Sequence, residues 1–134
     1  MGEHQLQHQG GCLCGATRYT LHGDPTYCGN CHCRSCQRAI GAGMVTWVGV
    51  KPENFEVNQG EISYCETSPG VQRGFCGRCG SSLTYGGDDW TDIGVTAASL
   101  DNPSIAKPES NVYLDHQQPW ILIDDNLRQY ARLP

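Results

Sequence analysis

Seven cysteines in three tight groups carry the chemistry of this sequence. Cys76-Gly77-Arg78-Cys79-Gly80 is a C-x-x-C-G turn. Two intervening residues let both thiolates face one ion, and the glycine relieves crowding where backbone N–H groups turn toward sulfur. Such a turn supplies half of a tetrahedral zinc site. Cys12-Leu13-Cys14-Gly15 is the natural second half. Four thiolates close the tetrahedron, which is the pattern of a structural site, and here the closure would tie the first strand to the middle of the chain. The alternative use of C-x-x-C is a redox dithiol, but no βαβ pattern surrounds it.

The third group, Cys31-His32-Cys33-Arg34-Ser35-Cys36, is a C-x-C-x-x-C run. Three protein ligands with one open position is the pattern of a catalytic zinc. Three thiolates on Zn²⁺ leave a net charge of about −1 and weaken the ion as an acid toward water, so a soft ligand suits the open position better. A substrate thiol that loses its proton on binding fits, and chemistry at a carbon–sulfur bond is favoured over hydrolysis. Arg34 and Arg38 stand beside the cluster, placed to balance its charge or hold a substrate carboxylate. Cys28, three residues before Cys31, or His32 offers an alternative fourth ligand that would close this site too. Cys65, within an expected strand, reads as a small buried residue. Trp47 reads as a core anchor; Trp90 and Trp120 could line a pocket or do the same.

Nine cysteines in a chain without an apolar export segment point to metal binding rather than disulfides, and to a reducing, cytoplasmic setting. No stretch has the length of a membrane span. The net charge of −5, from 9 basic and 14 acidic residues, argues against nucleic acid as a partner.

The elements that must position these groups are short. With 134 residues, 38% of them hydrophobic, 17 glycines and 7 prolines, the chain fits one turn-rich domain stapled by metal. Residues 1–9 read as a flexible segment and 10–134 as a single mainly β domain of short antiparallel strands. Strands are expected at about Thr17–Leu21, Met44–Val50, Phe55–Val57, Ile62–Cys65, Ser82–Tyr85, Asp92–Ala97, Asn111–Leu114 and Trp120–Ile123. A cysteine-rich loop is expected over Cys28–Cys36, with one helical turn over 34–41 ended by Gly41.

Taken in order, Gly11-x-Cys-x-Cys-Gly15, the C-x-C-x-x-C run, Arg73-Gly74-Phe75-Cys76-x-x-Cys79-Gly80-Ser81-Ser82-Leu83, Asp92-Ile93-x-Val95, Ser99-Leu100-Asp101, Pro119-Trp120 and Ile123-Asp124-Asp125 resemble the glutathione-dependent formaldehyde-activating enzyme (Gfa)/centromere protein V family. The resemblance spans roughly residues 10–130. It implies a small Mss4-like (β-tent) zinc-stabilised fold, a structural zinc on Cys12, Cys14, Cys76 and Cys79, and a catalytic zinc on Cys31, Cys33 and Cys36 where glutathione is proposed to bind. It further implies a carbon–sulfur lyase acting in S-hydroxymethylglutathione formation. Two positions depart from the pattern: Asn111 stands where many relatives carry histidine, and Cys28 is additional to the usual trio. Asp124, Asp125 and His116 read as surface or turn residues. A competing reading is a zinc-stabilised module that binds a protein without catalysis.

Overall fold

Alternation of side chains along short strands builds this fold. The computed structural model describes residues 6–134. Its strands are β1 (Gln7–Gly11), β2 (Arg18–His22), β3 (Cys28–Cys31), β4 (Val45–Val50), β5 (Phe55–Gln59), β6 (Ser63–Ser68), β7 (Val71–Phe75), β8 (Ser82–Gly87), β9 (Ile93–Thr96), β10 (Ser110–Val112) and β11 (Arg128–Gln129). One α-helix, α1 (Arg34–Ile40), follows β3 and ends at Gly41 in the left-handed conformation. Short 3-10 turns complete the described residues.

The strands form a three-stranded sheet, β1-β2-β5, and an eight-stranded sheet, β11-β10-β3-β4-β9-β8-β7-β6. Pairing is antiparallel except at β10, which runs parallel to both β3 and β11. In β2, Tyr19 and Leu21 point inward and are fully buried, as period-2 alternation requires. They meet Val48, Val50, Leu83, Val95 and Leu100 in the main core, which also takes in Cys12, Cys28 and Cys76.

Strand β4 separates two packed regions. Val48 and Val50 face the main core, whereas Val45 and Trp47, on the opposite face, pack with Cys31 and Cys36 in a second cluster. Strand β3 obeys the same rule. Cys28 pairs with Val48 and enters the main core; Cys31 pairs with Val45 and enters the second cluster.

The mainly β expectation holds, and several local expectations change. The chain is already in β1 at Gln7, so residues 7–9 are not a flexible lead; Met1–Gln5 lie outside the described residues. Cys28–Cys31 is a strand rather than a loop. Trp120–Ile123 is not a strand: Trp120 is 67% and Leu122 93% exposed, and Ile121 and Ile123 are only half-buried. Instead the last residues pair with β10 through β11, and the backbone N–H groups of Tyr113, Leu114 and Asp115 donate to the carbonyls of Arg132, Tyr130 and Ala131. Cys65 is exposed, not buried.

Candidate metal centres

The two ends of the first candidate centre are built alike. After Cys14 the backbone turns at Gly15 (φ 81°), and after Cys79 at Gly80 (φ 80°), a conformation that glycine adopts without a Cβ penalty. The Gly80 N–H donates to the Cys76 carbonyl and the Gly15 N–H to the Cys12 carbonyl, closing each turn. The turns face each other, and the sulfur atoms of Cys12, Cys14, Cys76 and Cys79 all lie within 4.8 Å of one another. Cys12 Sγ is 3.6 Å from Cys14 Sγ, and Cys14 Sγ is 3.9 Å from Cys76 Sγ. A tetrahedron with Zn–S bonds of about 2.3 Å has edges of about 3.8 Å, so the donor set fits zinc in kind and in spacing.

Backbone and hydroxyl donors already point at these sulfurs. The N–H of Thr17 donates to Cys12 Sγ at 3.2 Å and that of Arg78 to Cys76 Sγ at 3.4 Å. Ser81 Oγ lies 3.1 Å from Cys79 Sγ and accepts from the Leu13 N–H at 3.0 Å, bridging the two turns. Hydrogen bonding from the Ser81 side chain, then its backbone, brings the Cys79 thiol down to about 5.

The second centre sits where β3 runs into α1. Cys31 ends the strand, Cys33 caps the helix by accepting from the Cys36 N–H at 3.3 Å, and Cys36 lies one turn along. The three sulfurs lie within 4.8 Å of one another. Hydrogen bonds from Cys31 and Cys33 hold Cys36 far below the ordinary thiol range, and Arg73 adds to the effect; the same cluster pushes Cys31 up. Among the described residues these two clusters are the groups of His, Cys, Asp or Glu side chains able to hold a metal ion.

Neither alternative fourth ligand joins the trio. Cys28 is three residues from Cys31 on an extended strand, so the two side chains leave opposite faces; knuckle spacing brings sulfurs together only where the chain turns. His32 is fully buried on the Cys28 side, its Nε2 3.0 Å from Asn111 Oδ1. Asn111 also accepts from Asn30 Nδ2 at 3.3 Å, and Asn30 accepts from Thr46 Oγ1 at 2.7 Å. Asn111 thus belongs to a buried polar network behind the trio.

The trio opens onto a cavity of about 490 Å³. One wall is aromatic: Trp47, Tyr85 and Trp90 follow one another with ring centroids 5.8 and 5.9 Å apart. The lining also includes Tyr113, at a positive φ of 57°, stacked on His116. A non-glycine residue held in this sparse region is backbone strain at the edge of a site. Buried Gln37 fixes α1 against this part of the lining by donating through Nε2 to the carbonyls of His32 and His116.

Of the two arginines singled out in the sequence, Arg34 lines the cavity and donates to Gln37 Oε1, whereas Arg38 is exposed and does not line it. Arg73, from the middle of β7, is the cation beside the trio: its Nη2 is 3.6 Å from Cys36 Sγ and its guanidinium carbon 4.7 Å from the centre of the Tyr85 ring. His116, expected at the surface, also lines the cavity, as do Trp47 and Trp90; Trp120 does not. Asp124 is an ordinary turn residue that accepts from the Asn126 N–H. The sequence signal for Arg73 was its place three residues before Cys76, and nothing local linked it to Cys36.

Residues 7–116 match the protein family described as "Glutathione-dependent formaldehyde-activating enzyme". A Halomonas elongata protein named "Putative glutathione-dependent formaldehyde-activating enzyme" is 30% identical over 128 residues, covering 87% of this chain and 80% of that protein. A crystal structure of a Rhodobacter sphaeroides protein shares the fold with a TM-score of 0.59 at 20% identity, covering 70% of this chain and 88% of that one. No helix among the described residues is long and apolar enough to cross a membrane.

Proposed function

The chain belongs to the glutathione-dependent formaldehyde-activating enzyme family, and from that premise we propose that it is a carbon–sulfur lyase whose substrate thiol, such as glutathione, binds at Cys31, Cys33 and Cys36. The observation that supports this most is a three-sulfur cluster on the wall of a 490 Å³ cavity. The four-sulfur cluster of Cys12, Cys14, Cys76 and Cys79 is the structural site, and it lines no part of that cavity.

Zinc on the trio would supply a soft Lewis acid that holds a substrate sulfur as thiolate. The chain's own residues do the rest. Cys33 keeps its sulfur in place because it is also the cap of α1. The aromatic wall of Trp47, Tyr85 and Trp90 excludes water from one side of the reacting sulfur. In the adduct reaction the thiol loses its proton, a C–S bond forms to the aldehyde carbon, and the former carbonyl oxygen gains a proton; cleavage is the reverse. His116 is the imidazole that lines the cavity and is the candidate to carry such a proton.

The test is calorimetry on zinc-loaded protein with glutathione and S-methylglutathione at two pH values, with X-ray absorption at the zinc edge. Glutathione should bind, with affinity rising with pH until the free thiol ionises, because binding releases the thiol proton. The methylated analogue should bind much less well. Equal binding of the two would remove the sulfur site, and no binding with four protein ligands on each zinc would favour a non-catalytic module.

A further inference from the structure

The cavity has a charge pattern unlike that of the rest of the chain. The protein carries 14 acidic residues and a net charge of −5, yet among the described residues no Asp or Glu side chain lines the cavity. Its charged side chains are Arg34 and Arg73, with the imidazole of His116. Arg34 is engaged with Gln37. Arg73 is not: among the described residues its buried Nη1 has no hydrogen-bond partner, and Nη2 reaches the sulfur of Cys36. A guanidinium is matched in shape to a carboxylate through two parallel N–H donors, and a buried donor without a partner costs stability until a ligand satisfies it.

The guanidinium is also held in place. It lies on the face of Tyr85, whose ring is braced by Trp47 and Trp90, and its backbone sits mid-strand between β6 and β8. A pre-set cation beside a thiol-binding cluster selects a ligand that carries an anion near its sulfur. Arg73 also borders a smaller hollow of about 230 Å³ with Cys65, in which it is the charged side chain among the described residues.

Resting on the thiol-site reading above, we propose that Arg73, rather than Arg34 or Arg38, is the carboxylate anchor of this site, and that the chain selects thiols bearing a carboxylate over neutral thiols. The probe pair is mercaptopropionate and its methyl ester, which share a thiol and a carbon skeleton and differ in the charge. Calorimetric titration of the zinc-loaded protein should give the acid an affinity about tenfold or more above that of the ester. In Arg73→Gln, compared on fully zinc-loaded protein, that preference should fall to about onefold, with the acid weakened far more than the ester. Arg34→Gln should keep the preference.

Equal affinity of acid and ester for the unaltered protein overturns the anchor and leaves the thiol site standing. Absence of binding by either overturns both. If Arg73→Gln weakens acid and ester alike, Arg73 only neutralises the sulfur cluster and the proposal fails. Should Arg73→Gln not fold, Arg73→Lys keeps the charge but lacks the fork, and it should retain only part of the preference; full retention counts against bidentate capture.

Discussion

The sulfur of Cys14 lies 3.9 Å from that of Cys76, 62 residues further along the chain. A metal held there closes a long loop and joins the turn between β1 and β2 to the turn between β7 and β8. Cys79→Ser should therefore lose one zinc per chain and more than about 4 kcal/mol of stability, or fail to fold. Denaturant unfolding with a metal count checks this. Unchanged stability with zinc retained would refute the structural assignment.

Cys33→Ser should behave differently. The trio is local, spanning one strand end and one helical turn, so its metal ties no distant segments together. Serine is also a good helix cap and can still accept from the Cys36 N–H. The variant should fold, lose the second zinc, and cost less than about 2 kcal/mol. Equal destabilisation by Cys33→Ser and Cys79→Ser would show that the two clusters do not have separate roles.

Cys28→Ala should leave the zinc stoichiometry untouched, because Cys28 faces the main core beside Val48. Its cost is that of a small cavity, about 1 kcal/mol. Loss of metal from this variant would mean that Cys28 serves as a ligand after all.

Alkaline stability provides a fourth check. Burial pushes the Tyr19 phenol up to about 12 from its ordinary 10, against the opposing hydrogen bond to Ser99. The folded state then holds a proton that the unfolded chain gives up, so the contribution of Tyr19 is complete below pH 10 and is lost as pH rises toward 12. It amounts to about 2–3 kcal/mol. Urea unfolding across that window should show the loss, and Tyr19→Phe should reduce it, leaving the part due to Tyr27, which burial also pushes up to about 12. An identical slope in the variant would assign the alkaline loss to other groups.

Much of the site was legible because cysteine spacing is a local signal. The C-x-C-G and C-x-x-C-G turns each place two sulfurs by geometry that a few residues encode, and the structure brings all four together. The trio was legible for the same reason. What a local pattern could not encode was which segment pairs with which. Arg73 stands beside Cys36 because Tyr85 on β8 carries the guanidinium on its face and packs on Trp47 of β4, which clusters with Cys36, so its role depended on strand order. The alternative that Cys28 closes the trio fails because C-x-x-C means convergence in a turn and divergence in a strand, and the strand was read as a loop. Trp120–Ile123 misled because an apolar run looks alike whether it is buried or lies across the surface.

The alternation of β4 bears on how such a protein can be altered. Positions 48 and 50 serve the common core, whereas 45 and 47 pack beside the trio, and Trp47 lines the cavity. The side chains that face the cavity and those that face the common core thus sit on separate faces of one ribbon. A directed library confined to residues 47 and 85 would reshape the cavity while leaving the common core around Val48 and Val50 in place.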